Sequence, residues 1–227
     1  MDKAYFNWSS GKDSSLALYY AMQSPIITVE ALFSVIDSDG NLPMHNVGSH
    51  LLKKQADSIG LPLTIFSYCK KWTEKEYRIA MREYVEKFKV QGITTSLFGD
   101  IYLEELRNNR ISNCEKVGIT ADFPLWNMSS LEVMNQFIKC GFKAIIVCIN
   151  NSLLPENFLG KIIDSEFIEA YPKNLDLCGE NGEYHSFVFN GPIFKTPVDF
   201  KIVNKYNKTH KDLLTNNLQK YCYLELE

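Results

Sequence analysis

Two short stretches of this chain bring reactive residue types close together. The first is Trp8-Ser-Ser-Gly-Lys-Asp-Ser-Ser15. Small residues let a backbone approach an anion, the hydroxyls of Ser9, Ser10, Ser14 and Ser15 add donors, and Lys12 adds positive charge. Asp13 alone would repel a phosphate. A carboxylate at that place makes sense if it helps to hold a Mg²⁺ that the phosphates also ligate. The spacing is neither a Walker A loop, since Phe6 stands five residues before Gly11 and Asp13 follows Lys12, nor GxGxxG. The plain alternative is a serine-rich helix cap with a stray charge. The second stretch is Cys178-Gly-Glu-Asn-Gly-Glu-Tyr-His185. It sets Glu180, Glu183, Tyr184 and His185 side by side, with Gly179 and Gly182 to bend the chain. Such a loop can present several groups to one ligand, proton-transfer candidates among them. It lacks the spacing of HExxH or of a Cys/His zinc set, so no metal site is expected there. The plain alternative is a polar surface hairpin.

The elements around these loops alternate between strand and helix. Ala4–Trp8 is a short apolar strand, and Ser14–Met22 is helical, with Leu16, Tyr19 and Tyr20 on one face. Ile26–Val35 is a second strand, followed by the turn cluster from Asp37 to Pro43. A helix over Val47–Ile59 stops at Gly60, and Leu63–Phe66 is a third strand. Thr73-Glu-Lys-Glu76 is a capping box opening a helix through Tyr77, Met81, Tyr84 and Phe88. Thr94–Phe98 is a fourth strand. This order predicts a parallel sheet with helices on both faces, and the serine loop lies at its C-terminal edge, where such folds bind ligands. Beyond Gly99 the pattern is less regular. It shows a capping box at Ser129-Ser-Leu-Glu132, a helix to Cys140, a strand over Ala144–Ile149, a helical reading of Glu156–Ala170, and an apolar run at Tyr221–Leu226. The expected division is a nucleotide-binding domain over 1–98 and a smaller C-terminal α/β subdomain over 99–227, sharing a cleft.

Composition narrows the classes. The chain has 227 residues, 45% of them hydrophobic and 13% aromatic, which excludes wholesale disorder. Lys+Arg 24 against Asp+Glu 27 leaves a net charge of −3, so nucleic acid is not favoured as a partner. No apolar run reaches the roughly 18 to 20 residues of a membrane span, and MDKAYFNW has no signal-peptide character. A cytoplasmic location without membrane contact is expected. The six cysteines include no CxxC and sit in core-like surroundings, as buried reduced thiols would.

Ser9-Ser10-Gly11-Lys12-Asp13-Ser14 resembles the SGGxDS signature of the PP-loop ATP pyrophosphatases, with Ser10 where that signature has a glycine. CGENGEYHSFVFNGPIF is similar to the corresponding signature of the diphthine–ammonia ligase family, and Phe98-Gly-Asp-Ile101, Pro124-Leu-Trp126 and Leu159-Gly160 match further landmarks in order. The resemblance reaches to about Phe194. It implies a Rossmann-like, HUP-type sheet and an enzyme, an ATP-dependent amide-forming ligase. ATP would adenylate a diphthine-like carboxylate, on elongation factor 2 in the family. Pyrophosphate would leave, and ammonia would displace AMP. By the same resemblance Ser9–Ser15 would cradle ATP, with Asp13 on Mg²⁺. The adenine would lie near Leu32–Val35, including Ser34, held largely by backbone. Asp100, Glu180, Asn181, Gly182, Glu183, Tyr184 and His185 would form the acceptor or ammonia site. Lys12, Asp13, Glu183 and His185 carry the catalytic expectation.

Leu106-Arg107-Asn108-Asn109-Arg110-Ile111 retains Arg107 of the family's QRxRVE-type segment but not the full set. Met44-His45-Asn46-Val47 and GDIYLEELR look more like the bacterial-type branch, and His45 itself reads as a loop histidine near the sheet edge. The length falls short of the extra C-terminal domains of the longer eukaryotic forms. Two alternatives stay open, an ATP- or AMP-binding regulator and a PP-loop nucleic-acid modification enzyme. Tyr221–Leu226 reads either as a strand of the sheet or as an edge that pairs with a second copy in a homodimer.

Overall fold

A computed structural model of the chain describes residues 1–211 and 218–227. The first half winds β1 (Asp2–Asn7), α1 (Lys12–Gln23), β2 (Ile27–Ile36), α2 (Ser49–Ile59), β3 (Leu63–Ser67), α3 (Glu74–Val90) and β4 (Thr95–Leu97). It continues through α4 (Glu104–Glu115) into β5 (Thr120–Asp122). These strands form one parallel sheet of order β3-β2-β1-β4-β5. The strand order reverses between β1 and β4, and the crevice outside their carboxyl ends is where a sheet of this kind binds ligand. Strand periodicity splits β1 between two cores. Ala4 and Phe6 face a core with Leu16 of α1 and Leu51 of α2, whereas Tyr5 packs with Phe33, Phe66 and the α3 residues Val85 and Phe88.

The second half contributes α5 (Ser130–Lys139), β6 (Lys143–Asn150), α6 (Ser165–Ala170), β7 (Tyr184–Asn190), β8 (Ile202–Lys211) and β9 (Leu218–Leu226). Its sheet is antiparallel, in the order β7-β6-β9-β8. One apolar core joins the halves: Phe137 of α5, Ile146 of β6 and Phe187 of β7 are fully buried in the cluster that holds Phe6 and Leu16. The expected capping boxes are present at Thr73 and Ser129, each closed by a glutamate at the third helical position.

Two expectations are corrected, and two elements, α4 and β8, emerge that the sequence reading did not place. The break does not fall at Gly99, because β5 carries the parallel sheet on to Asp122. The α4 segment EELRNNRISNCE buries only Cys114 and has almost no apolar stripe to reveal it in sequence. Glu156–Ala170 is not one helix. A 3₁₀ turn at Glu156–Phe158 ends before Gly160 at φ 82°, and α6 restarts at the Asp164 cap. The polar stretch ahead of Tyr221 includes a strand, β8, paired along its length with β9. β9 therefore lies between β6 and β8 and is not an edge open to a second copy. Among the described residues no helix is long and apolar enough to cross a membrane.

Candidate functional site

The serine loop leaves the C-terminal end of the central strand β1 and enters α1 at Lys12, capped by Gly11 without any side-chain hydrogen bond. Such an uncapped first turn presents backbone N–H groups and the positive end of the helix dipole. Ser10 adopts φ 65°, the left-handed region that glycine enters without penalty, and its Oγ is buried with no partner. Gly99, just beyond β4, presses on the same turn, since a Cβ there would lie 3.0 Å from the Ser14 nitrogen. The Ser9 and Ser14 hydroxyls bond each other at 2.8 Å. Ser15 donates to the Gly11 carbonyl at 2.9 Å, and the buried Ser34 donates to the Trp8 carbonyl at 2.7 Å. Those last two hydroxyls brace the loop from behind.

The second half of the chain completes the loop. Val188 N–H donates to the Ser10 carbonyl at 2.9 Å, and the Lys12 N–H donates to Ser186 Oγ at 3.1 Å. Gln55 of α2, fully buried, accepts from Trp8 Nε1 at 2.9 Å and donates to the Val188 carbonyl at 2.6 Å. Sequence reasoning missed Gln55 and Ser186. The signal for Gln55 was present: it is a polar residue on the apolar stripe that Leu51, Leu52, Ala56 and Ile59 define.

Lys12 is the hub. Its buried ammonium pairs with Asp13 Oδ2 at 2.7 Å, donates to the Cys178 carbonyl and lies 5.0 Å from the Tyr184 ring centre. Burial opposes its charge, but Asp13 and further anionic neighbours hold the Lys12 pKa well above the ordinary lysine value. Burial raises Asp13, with Lys12 pulling the other way, and Asp13 Oδ1 is buried without a partner.

The CGENGEYH loop divides its acids between two tasks. Glu183 is buried and accepts from the Asp176 N–H at 3.0 Å and the Asn181 N–H at 2.9 Å. Asp176, a residue not singled out in the sequence, accepts from the N–H groups of Cys178 at 2.9 Å and Glu180 at 3.0 Å. A Cβ on Gly179, at φ 77°, would stand 2.9 Å from the Tyr184 carbonyl, so only glycine fits this turn. Tyr184 is buried and donates its hydroxyl to the Leu177 carbonyl at 2.7 Å. Glu180 is left to share the field of Asp13 and Lys12. Burial first, then Asp13, push its pKa up to about 8. Asn181 is exposed at the rim and Gly182 half-buried. Asp100 is held by Arg110 Nε at 3.0 Å, and that guanidinium covers the Phe98 ring. Arg107 stacks between Phe123 and Trp126.

His185 packs against His45 with ring centres 4.4 Å apart and planes tilted by 33°, so a histidine that the sequence places in a loop near the sheet edge stands in the site. Beside the strand ends a cavity of about 540 Å³ opens over Tyr5, Asn7, Phe33 and Phe98, between α3 and α4. Phe33 comes from the segment expected to flank an adenine. Among the described residues no group of three or more His, Cys, Asp or Glu is arranged to hold a metal by itself.

Comparison with known proteins agrees with this layout. Residues 2–121 match the family model "Diphthamide synthase N-terminal domain", and residues 129–222 match "Diphthamide synthase C-terminal domain". The junction falls after β5, as the sheet topology has it. Mouse diphthine–ammonia ligase is 23% identical over 175 residues, and the human protein 24% over 171; each match takes in 67% of this chain and 62% of the relative. The fission yeast ligase is 24% identical across 96% of this chain and 38% of its own length. The chain thus spans less than two thirds of the relatives it matches. The U34-tRNA thiolase NcsA from Methanococcus maripaludis, a solved structure with a [4Fe-4S] cluster, aligns at TM-score 0.39 and 14% identity over 61% of this chain and 57% of that one.

Proposed function

The chain belongs to the diphthamide synthase family, and on that premise we propose that it is an ATP-dependent ligase that adenylates a carboxylate of the diphthine type and aminates it with ammonia. The observation that carries this reading is the uncapped first turn of α1 at a central strand end, with the Lys12–Asp13 pair buried in it. A triphosphate there meets free backbone donors, a helix dipole and a buried cation together.

In this reading the adenosine half of ATP occupies the cavity over Asn7 and Phe33, and the phosphates lie on Ser9–Ser14. An acceptor carboxylate oxygen attacks the α-phosphorus and the bond to the β-phosphate oxygen breaks. Pyrophosphate leaves with that electron pair, which Lys12 and the helix N-terminus stabilise in the transition state. The ammonia nitrogen then attacks the acyl carbon, the carbon–oxygen bond to AMP breaks, and the nitrogen gives up a proton. Adenylation is needed because the untouched carboxylate would have to expel oxide. The unpartnered Asp13 Oδ1 suits a Mg²⁺, which typically takes one or two protein carboxylates plus phosphate oxygens. Bound there, Mg²⁺ would neutralise charge on the departing phosphates. Glu180, facing Asp13 and Lys12, would border the acceptor. Glu183, Tyr184 and Ser15 would serve as positioning residues, because their polar atoms are committed to the loops themselves. The acceptor we favour is a protein side chain, diphthine on elongation factor 2.

The test follows α-labelled ATP with Mg²⁺, ammonium and diphthine-bearing elongation factor 2. AMP should form with the wild-type protein and be lost with Asp13→Ala. ADP as the labelled product would overturn adenylation, and tight ATP binding without AMP would favour the regulator alternative.

A further inference from the structure

Beside the phosphate loop sits a pair of imidazoles whose arrangement the steps above leave unused. His45 comes from the loop between β2 and α2, and His185 from β7. The His45 ring touches Gly11: its Cε1 lies 3.3 Å from where a Gly11 Cβ would stand, and the Ser186 carbonyl is 3.4 Å from the same point. His45 Nδ1 is buried with no partner. A neutral imidazole protonated at Nε2 offers that Nδ1 as a lone-pair acceptor. His185 Nε2 is likewise buried and unpartnered.

The chain strains itself to hold His45 there. Met44, immediately before it, is held at φ 64°, in the left-handed region that side chains other than Asn and Asp rarely enter, and Asn46, after it, is at φ 54°. Asn46 is pinned to the second sheet through the Tyr206 hydroxyl and by Lys208 Nζ at 2.9 Å. Backbone strain next to a half-buried side chain is a recurrent mark of a functional position.

From this geometry we infer that His45 and His185 form the subsite that takes up ammonia, accepting its N–H groups and holding it beside the acyl-adenylate. The inference rests on the amidation reading above. The chemistry selects the neutral nucleophile. Burial and the nearby Lys12 charge push the His45 imidazole down to about 4 and keep His185 well below its ordinary value, so both rings are uncharged acceptors. The same burial and the same cation disfavour ammonium and favour NH₃, the form with a lone pair to attack. The carbon–nitrogen bond forms from that lone pair as the carbon–oxygen bond to AMP breaks, and the surplus N–H proton passes to an imidazole lone pair.

Two measurements test it. The first is the ¹⁵N spectrum of the imidazole nitrogens in the full-length wild-type protein, titrated with ammonium chloride and, separately, with sodium chloride. A saturable shift of His45 Nδ1 with ammonium alone is expected; equal shifts with both salts would overturn the subsite. The second compares diphthine-dependent pyrophosphate exchange with amide formation in His45→Phe, which keeps a ring against His185 and removes the acceptor. The ammonium concentration for half-maximal amide formation should rise about tenfold relative to exchange, as loss of one buried hydrogen bond of about 1.4 kcal/mol would give. An unchanged ammonium requirement would overturn the inference. Failure of the wild-type protein to catalyse exchange would remove the adenylation reading itself, and the subsite with it.

Discussion

Ser10 offers the sharpest test of the loop's energetics, because a side chain stands where the backbone asks for none. Its φ of 65° costs about 1–2 kcal/mol relative to glycine. Its buried, unpartnered Oγ adds a desolvation cost of about 1–3 kcal/mol. Against this, Ser10→Gly frees the unfolded chain and loses about 0.5–1 kcal/mol. Setting the lower end of each gain against the upper end of the loss, the variant should be about 1 kcal/mol more stable, and more if the hydroxyl penalty lies higher in its range. The interactions that orient the loop are backbone ones, Val188 N–H and Gln55 Nε2 to the Ser10 carbonyl, and they survive the change. For a chain of this size a gain of 1 kcal/mol raises Tm by about 2–4 °C. Thermal unfolding by circular dichroism, with urea melts to fix the free energy, would measure it. Ser10→Ala separates the two contributions, since it keeps the strained φ and deletes only the hydroxyl, so it should gain about 1 kcal/mol from that source alone. If both variants are less stable than wild type, Oγ has a partner and the argument from strain and burial is wrong.

Glu180→Gln probes the raised carboxyl. In the folded protein Glu180 keeps its proton to about pH 8, whereas in the unfolded chain it ionises near the ordinary carboxylate value, so the wild type loses stability as pH climbs through that interval. Glu180→Gln should match wild type near pH 4 and become the more stable form toward pH 8. Urea melts at pH 4, 6 and 8 check this, and a difference that does not grow with pH would refute it. Gln55→Ala strips the Trp8 indole of its acceptor and unties α2 from β7. We expect a loss of about 2–3 kcal/mol in denaturant melts, the cost of buried groups left unpaired, together with weaker ATP binding by calorimetry. A loss under about 0.5 kcal/mol, the usual ceiling of a surface change, would show that the loop is anchored by other contacts.

What could be read from residues alone was local in character. The alternation of β-branched runs with amphipathic stretches is periodic, so β1 to β4 and α1 to α3 were legible to within two residues for most elements. The serine loop was legible because it lies within one strand–turn–helix unit, which is continuous in sequence. The capping boxes at Thr73 and Ser129 were legible for the same reason. By contrast, α4 buries too little to leave a stripe, and β8 is a polar strand recognisable only by its pairing with β9.

Tertiary structure alone decided how the acids and histidines divide their work. Composition could not separate Glu180 from Glu183, three residues apart. The difference is that the chain folds its own N–H groups onto Glu183 and leaves Glu180 part-buried in the field of Asp13, which with burial raises its carboxyl. The bond from Lys12 to the Cys178 carbonyl spans 166 residues, and that from Gln55 to Val188 spans 133. No local spacing encodes such contacts. His45 is the clearest case: in sequence it is a histidine in a turn, and only the packing of β7 against the serine loop makes it the partner of His185. Local periodicity is set by bonds between near neighbours, which the sequence spells out. The site's division of charge is set by which distant backbone groups arrive to solvate each side chain, and that exists only once the two sheets share a core.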